Sequence, residues 1–286
     1  MPKLLLIDPA HFDVSYAINP WMQPDAWGRD PQGMKDATRR SFRDMHAALE
    51  RAGCEVVVAP GAPGLPDMVF PANAAVVLDG RALTARFRHT ERQGEEPHFL
   101  AIFASLRERG LLREVVQLPE GCYQEGAGDC IWDAVRGHFW GGYGPRSSRA
   151  AIDVMAGFFN REIVPLELVS ERCYHLDVGF CPLSGGEILF FPPALGPAAL
   201  RTLHERVPAE LRIEASEDDL RHFSVNAVCV GKHIVMAATT DRLRGLLTER
   251  GYGLSELNLA PFILSGGGAF CMTLRLDWQS GAARAV

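Results

Sequence analysis

The chain has 286 residues, of which 47% are hydrophobic and 22% charged, and these ordinary values exclude a disordered protein. The net charge of −6 argues against nucleic acid as a partner, because a polyanion is normally bound by a basic surface. No apolar run in the sequence approaches about 18 residues, so neither a membrane-spanning helix nor a membrane partner is predicted.

The predicted elements alternate between strands and helices. The first is a strand rather than a signal peptide, because only one Lys and a short apolar run precede Asp8. Strands are predicted at 3–7, 55–59, 74–78, 114–118, 162–166, 187–191, 225–230, 233–237, 261–264 and 271–276. Helices are predicted at 35–51, 96–109, 147–159, 193–207 and 240–250. Five helices accompanied by strands indicate five α/β units in a single domain over residues 1–286.

The chain contains seven cysteines, so at least one is unpaired within it. None stands in a C-x-x-C spacing, which excludes a zinc ribbon or a thioredoxin motif and makes a disulfide framework improbable. Reduced, mostly buried thiols in a cytoplasmic protein are the ordinary interpretation. The histidines show no H-x-x-x-H or H-E-x-x-H arrangement, so no metal site is predicted, and no cofactor is expected.

Polar residues stand where packing alone does not require them. Asn19 follows an apolar run, and Asn73 directly precedes a predicted strand. Glu125 and Asp129 bracket three small residues, which allow the backbone to approach a ligand closely. Taken singly, each of these features has an ordinary structural explanation in a turn.

Two further features supply reactive groups. His175 and Asp177 are two residues apart, so in an extended segment their side chains point to the same side. Glycines 266–268 lead to Cys271 at the start of a predicted strand, and they are expected to leave its thiol accessible. Together with the other polar residues they provide a thiol nucleophile, an imidazole acid–base group and several anions.

This set of groups favours a planar cation as the substrate. Glu125, Asp129 and Asp177 would repel a carboxylate, whereas a guanidinium matches carboxylates by paired hydrogen bonds. A thiol can attack the guanidinium carbon, and one histidine can protonate the departing amine and then activate water. The substrate charge would also help to hold Cys271 as a thiolate. A small guanidino compound is therefore the predicted substrate.

The same residues belong to an ordered set of motifs. They are Asn-Pro-Trp-Met at 19–22, Phe-Pro-Ala-Asn-Ala at 70–74, Arg-Gln-Gly-Glu-Glu at 92–96, Glu-Gly-Ala-Gly-Asp at 125–129, Gly-Tyr-Gly-Pro-Arg-Ser at 142–147, Tyr-His-Leu-Asp at 174–177 and Gly-Gly-Gly-Ala-Phe-Cys-Met-Thr-Leu at 266–274. In this order the chain resembles the guanidino-group-modifying superfamily of arginine deiminases, dimethylarginine dimethylaminohydrolases, amidinotransferases and arginine dihydrolases. The resemblance implies a single-domain α/β pentein, a five-bladed propeller of ββαβ units with pseudo-fivefold symmetry.

The resemblance also implies catalytic roles. Cys271 would be the nucleophile and His175 the general acid and base. Glu125 or Asp129 would orient His175 and hold the guanidinium. The division of roles between these two carboxylates stays open, because their five-residue motif is one residue longer than the Glu-Gly-Gly-Asp of deiminases.

Four further residues are implied to bind the substrate. Asp177 would bind guanidinium nitrogens, and Arg146 would bind the α-carboxylate. Deiminases and dimethylaminohydrolases generally have Asp where this chain has Asn73, whereas dihydrolases resemble this chain in having Asn at both Asn19 and Asn73. A neutral amide donates as well as accepts, so it can also hold the urea group of citrulline. The favoured reaction is conversion of arginine to ornithine, ammonia and carbon dioxide through a thiouronium on Cys271.

Several alternatives remain open from the sequence. Dimethylarginine dimethylaminohydrolase, arginine deiminase and amidinotransferase would share the nucleophile and differ in the leaving group or in the acceptor. A non-catalytic pentein factor that binds ribosomes is the alternative of a different class, but such factors lack the Cys, His and acid set found here. The modest negative charge also allows a homo-oligomer.

Overall fold

The computed structural model describes residues 1–281, so residues 282–286 of the predicted domain lie outside the described part of the chain. Its strands are β1 (Lys3–Ile7), β2 (Glu55–Ala59), β3 (Ala75–Leu78), β4 (Arg81–Thr84), β5 (Glu114–Gln117), β6 (Cys130–Asp133), β7 (His138–Tyr143), β8 (Ile163–Glu167), β9 (Phe180–Pro182), β10 (Ile188–Phe190), β11 (Arg212–Glu214), β12 (Val228–Val230), β13 (His233–Ala237), β14 (Gly253–Leu257) and β15 (Leu274–Arg275). Its α-helices are α1 (Pro24–Gly28), α2 (Pro31–Arg51), α3 (Thr90–Gln93), α4 (Glu95–Glu108), α5 (Ala151–Phe159), α6 (Leu176–Gly179), α7 (Pro197–Arg206), α8 (Glu217–Arg221), α9 (Asp241–Glu249) and α10 (Ala260–Ile263).

One connection pattern is repeated in five three-stranded sheets. The strand orders are β15-β1-β2, β3-β4-β5, β6-β7-β8, β9-β10-β11 and β12-β13-β14. In each sheet the middle strand is antiparallel to the first strand and parallel to the third. A parallel pair needs a crossover, and α2, α4, α5, α7 and α9 provide it. The predicted five ββαβ units are therefore confirmed, and β15, near the end of the described chain, completes the first sheet.

Two of the first strands are fully enclosed. The strands Ala75–Leu78 and Cys130–Asp133 are buried at every position, as expected for short runs that are covered on both faces. The helices pack outside them: Met45 and Leu49 of α2 are fully buried in the same apolar cluster as Leu6 of β1. No helix of residues 1–281 is long and apolar enough to cross a membrane.

Three strand predictions are wrong in part or entirely. Residues 261–263 belong to helix α10 and Leu264 follows as its C-cap, because a short apolar run suits either element and Pro261 is tolerated in the first turn of a helix. In the predicted strand 271–276 only β15 is extended, since Met272 N donates to Gly268 O in a turn. Of the predicted strand 225–230, only the last three residues are extended, and they form β12. Strands β4, β6, β7, β9, β11 and β14 are absent from the sequence-based prediction, because polar, glycine or proline residues interrupt their apolar pattern.

Candidate active site

The candidate residues lie in the segments that lead into the first strands of the sheets. In chain order these are Asn73 before β3, Glu125 and Asp129 before β6, His175 and Asp177 before β9, and Cys271 before β15. Hydrogen bonds between the segments connect these residues in two contact sets, one around the thiol and one around the imidazole. The fold thus brings the predicted thiol, imidazole and carboxylates to the same end of the interior strands.

The thiol of Cys271 is enclosed, with 2% of the residue exposed. Its Sγ lies 3.1 Å from Oδ2 of Asp177 and 3.1 Å from Nδ2 of Asn226. The expectation that the glycine loop leaves the thiol accessible is wrong. Glycine permits close packing there, because a Cβ on Gly267 would lie 2.1 Å from the ring of Phe70. Burial, followed by the nearby Asp177 carboxylate, raises the pKa of the Cys271 thiol well above its usual range, so the thiol is protonated at neutral pH.

Asp177 is the carboxyl group beside the thiol. Burial raises its pKa to about 7, although the hydrogen bond from Cys271 opposes that shift. Its Oδ1 is buried and has no hydrogen-bond partner among the described residues. A buried acceptor without a partner is costly. Asp177 therefore offers an acceptor that a substrate N–H group can satisfy.

The imidazole of His175 is held through both of its nitrogens. Nε2 lies 2.7 Å from Oε2 of Glu125, and Nδ1 lies 3.3 Å from Nδ2 of Asn73. Arg92 Nη1 donates to Oδ1 of Asn73 at 2.9 Å. Because a guanidinium can only donate, the amide nitrogen of Asn73 must face the imidazole. Nδ1 of His175 therefore accepts from Asn73, and Nε2 carries the ring proton toward Glu125.

Glu125 is fully buried and is paired on both oxygens. Arg146 Nη1 donates to its Oε2 at 3.0 Å, and the backbone N–H of Arg88 donates to its Oε1 at 3.1 Å. Burial alone would raise the pKa of Glu125, but the Arg146 guanidinium and the hydrogen bond from His175 outweigh it and hold this pKa well below its usual range. An ionised carboxylate therefore accepts the hydrogen bond from Nε2 of His175.

Asp129 holds the backbone that follows His175. Its Oδ2 accepts from Ser147 Oγ at 2.6 Å, and its Oδ1 accepts from Leu176 N at 2.9 Å. Burial raises the pKa of Asp129 to about 6. Since Leu176 begins helix α6, the prediction that His175 and Asp177 share one extended segment is wrong. The helical turn sends the Asp177 side chain to the thiol, while the imidazole faces other groups.

Arg146 and Asn19 hold a segment over the site. Arg146 is 2% exposed, its Nη2 donates to Ile18 O at 3.0 Å, and its guanidinium lies 4.8 Å from the centre of the Tyr174 ring. The neighbouring Asn19 donates from Nδ2 to Ser265 O at 3.1 Å. These contacts hold residues 18–19 against Arg146, which also pairs with Glu125, and against the residue that precedes glycines 266–268.

Sequence-based prediction missed three buried polar residues around the site. Arg92 forms two hydrogen bonds of 2.8 Å with Glu95, and this pair orients Asn73. Both residues belong to the Arg-Gln-Gly-Glu-Glu motif at 92–96, but no catalytic or binding role was predicted for them. Asn226 contacts the thiol, and it could have been found because, like Asn73, it lies two residues before an apolar strand.

Other parts of the structure do not offer comparable chemistry. Within residues 1–281 no group of three or more His, Cys, Asp or Glu side chains could hold a metal ion. A cavity of about 280 Å³ has a mainly apolar lining that includes Trp132, Phe139 and Trp278, and it contains none of the candidate residues. The cavity therefore includes neither Cys271 nor the hydrogen-bonded groups around His175.

Five ββαβ units that carry a thiol, an imidazole and carboxylates at one end of their first strands define a pentein of the guanidino-modifying class. The N-terminal domain of ArgZ bound to product, an arginine dihydrolase from the ornithine–ammonia cycle in cyanobacteria, superposes with a TM-score of 0.88 at 37% identity, covering 98% of each chain. The pentein fold predicted from the motifs is therefore confirmed.

Sequence comparison gives the family. A sequence profile described as "N,N dimethylarginine dimethylhydrolase, eukaryotic" matches residues 8–277, and the chain belongs to this family. The bifunctional arginine dihydrolase/ornithine cyclodeaminase ArgZ of Synechocystis sp. is 39% identical over 96% of this chain, which spans 37% of that relative's length. The dimethylarginine dimethylaminohydrolase of Mycobacterium tuberculosis is 31% identical over 96% of this chain and 85% of the relative.

Proposed function

We propose that this protein hydrolyses arginine to ornithine, ammonia and carbon dioxide, with Cys271 as the nucleophile. The observation that carries the proposal is the orientation of Asn73, whose amide nitrogen faces His175 in a site that also holds the thiol. The similarity to an arginine dihydrolase over nearly the whole chain supports it. Because the site draws on segments from several sheets, we also propose one catalytic domain over residues 1–286.

The bound substrate supplies a positive charge that stabilises the thiolate of Cys271. The unpaired Oδ1 of Asp177 accepts a guanidinium N–H, which places the cation beside Cys271 Sγ. A neighbouring positive charge lowers the pKa of a thiol. The thiol proton passes to His175, which the ionised Glu125 stabilises as an imidazolium. Arginine thus converts a protonated, buried thiol into the reactive thiolate, and its α-carboxylate is assigned to Arg146 and Asn19.

In the first round a bond between the sulfur of Cys271 and the guanidinium carbon forms and is then broken by water. The thiolate of Cys271 attacks the guanidinium carbon, and His175 delivers its proton to the departing ammonia. The resulting thiouronium is attacked by water, which gives its proton to the same imidazole. Cleavage of the sulfur–carbon bond releases citrulline and restores the thiolate.

A second round uses citrulline as the substrate. The thiolate attacks the urea carbon, ammonia leaves, and water converts the thiocarbamate into a carbamate that breaks down to ornithine and carbon dioxide. This round requires the site to hold a neutral group with a carbonyl oxygen. The amide of Asn73 can donate to that oxygen, whereas a carboxylate would repel it.

Product analysis with arginine, citrulline and dimethylarginine in parallel tests the proposal. We expect arginine to yield two ammonia molecules per ornithine and citrulline to be consumed at a comparable rate. Citrulline that accumulates and is never consumed would identify a deiminase, and amidino transfer to an added amine would identify an amidinotransferase. A protein that turns over none of the three compounds would instead support the non-catalytic alternative.

The family match gives specific support to a second candidate, dimethylarginine dimethylaminohydrolase. This reaction uses the same first round, with dimethylamine as the leaving group and citrulline as the final product. Release of dimethylamine with a kcat/KM above that for arginine would select it. The two candidates thus differ in the preferred leaving group and in the fate of citrulline.

Exchange of Asn73 for aspartate is expected to stop the reaction after the first round. In Asn73→Asp the carboxylate still pairs with cationic arginine, but it cannot donate to citrulline. We expect citrulline consumption to fall by about 100-fold, because a hydrogen bond lost in a buried site costs ~2–3 kcal/mol, while arginine consumption falls far less. Chromatography of the products over time measures both rates.

Asn258→Asp provides the matched control, since the Asn258 side chain is exposed and accepts only from the backbone N–H of Ala260 among the described residues. It should leave both rates unchanged. Equal loss of the two rates in Asn73→Asp would contradict the proposed role of the Asn73 amide in the second round.

Two broader proposals accompany this function. All seven cysteines lie in the described residues and are free, which supports a reducing compartment such as the cytoplasm. The partner that we propose is a small cationic guanidino substrate, with neither nucleic acid nor a membrane involved. Measurement of the mass of the protein in solution will test whether it forms a homo-oligomer.

A further inference from the structure

We infer that Asn226 is a catalytic residue that donates a hydrogen bond to the sulfur of Cys271 and stabilises its thiolate. The inference deepens the proposed function and rests on it only in taking Cys271 as the nucleophile. Asn226 is fully buried, and its Nδ2 lies 3.1 Å from Cys271 Sγ and 3.1 Å from the backbone oxygen of Asp177.

The orientation of the Asn226 amide follows from its partners. Its Oδ1 lies 3.0 Å from Phe270 N and 3.2 Å from Cys271 N, two backbone groups that can only donate. The oxygen must therefore face the backbone, and the NH₂ group must face the sulfur and the Asp177 carbonyl. One amide proton is available for each of these two acceptors, so the donor to the sulfur is fixed in place.

The surroundings of Cys271 otherwise disfavour its charge. Burial and the Asp177 carboxyl raise the pKa of the thiol, and the proximity of the thiol in turn adds to the effect of burial in raising the pKa of Tyr174. The interactions that favour the thiolate come from the backbone at Gly268 and from the Asn226 amide. Because a hydrogen bond to an ionised acceptor is stronger than one to its neutral form, the Asn226 donor stabilises the reactive species selectively.

The position of Asn226 in the repeated units supports the assignment. Asn73 and Asn226 each lie two residues before the first strand of a sheet, β3 and β12 respectively. The sheet that contains β12 contributes none of the side chains predicted from the sequence. With Asn226 included, each of the five sheets places at least one polar side chain at this end of its first strand.

The test measures how fast iodoacetamide alkylates Cys271 as a function of pH, with the Cys271 peptide quantified by mass spectrometry. In Asn226→Leu, which is close in size and has no donor, we expect the pKa of the Cys271 thiol to rise by about one to two units. The kcat for arginine should fall by about 10- to 100-fold with a smaller change in KM. Asn226→Ser, which retains a hydroxyl donor, should recover part of both losses.

Asn258→Leu makes the same exchange at an exposed side chain and should leave the alkylation profile unchanged. An Asn226→Leu protein that folds, as judged by circular dichroism, and alkylates with the unmodified profile overturns the inference. If that variant does not fold, Asn226→Ala, which leaves room for water, provides the same comparison.

Alkylation does not depend on turnover, so the two proposals can fail separately. A protein without guanidine hydrolysis whose Cys271 profile still responds to Asn226 contradicts only the proposed function. Normal hydrolysis with an unresponsive profile contradicts only the role of Asn226.

Discussion

Replacing Cys271 by serine is expected to abolish hydrolysis of arginine while the fold is retained. The substitution is nearly isosteric, and a serine hydroxyl has a pKa far too high to form the required oxyanion beside the Asp177 carboxyl. We expect kcat to fall by at least about 10⁴-fold, as for other enzymes that lose their nucleophile. Ammonia release measures the loss, and intact-protein mass spectrometry should show no covalent adduct.

Cys229→Ser is the matched control, because Cys229 is a half-buried thiol that lines the mainly apolar cavity away from the site. It should retain the activity of the unmodified protein. Turnover by Cys271→Ser close to that of the unmodified protein would remove Cys271 from the mechanism and would direct attention to another group.

The second large effect is expected from His175→Ala. Without the imidazole, no group protonates the departing ammonia, so kcat for arginine should fall by about 10²- to 10⁴-fold. Glu125 retains Arg146 and the backbone N–H of Arg88 as partners, so the buried carboxylate stays paired and the variant should fold. Added imidazole should restore part of the activity by occupying the space left by the side chain.

A substrate analogue separates the role of His175 as the acid for the leaving group from its role as the base for water. An S-alkylthiocitrulline loses an alkanethiol, which departs without the proton that ammonia needs. With this compound His175→Ala should form the adduct on Cys271 and then fail to hydrolyse it, which intact-protein mass spectrometry detects as a persistent mass increase. His222→Ala, at an exposed histidine, should form no lasting adduct. Rapid adduct hydrolysis by His175→Ala would contradict the role of this imidazole as the base for water.

The effects expected for these variants are related through the burial of the Cys271 thiol. Burial and Asp177 both disfavour the charged form of the Cys271 thiol, and in the proposed mechanism a guanidinium bound at Asp177 reverses that balance. The proposal therefore couples activation of the nucleophile to a cationic substrate. In the proposed second round, neutral citrulline lacks this help, so we expect that round to depend more heavily on the Asn73 and Asn226 amides as donors.

Local sequence patterns were sufficient for the five crossover helices but not for the complete ββαβ unit, because six strands were missed. The five crossover helices and strands such as Lys3–Ile7 and His233–Ala237 were predicted because periodic apolar residues between glycines specify an element without reference to the rest of the chain. The same patterns failed at residues 261–264, where three apolar residues and a proline suit a helix as well as a strand.

The sequence by itself determined which groups are available: one thiol behind three glycines, one imidazole beside an acid, and asparagines and carboxylates before strands. Only the tertiary structure decided how they are paired. Glu125, and not Asp129, contacts His175 because Asp129 is occupied by Ser147 and the backbone of helix α6. The contact between Cys271 and Asn226 joins residues 45 positions apart, and hydrogen bonds over such separations depend on how the five units pack against one another. That packing is a property of the whole core, so no local pattern could have specified it.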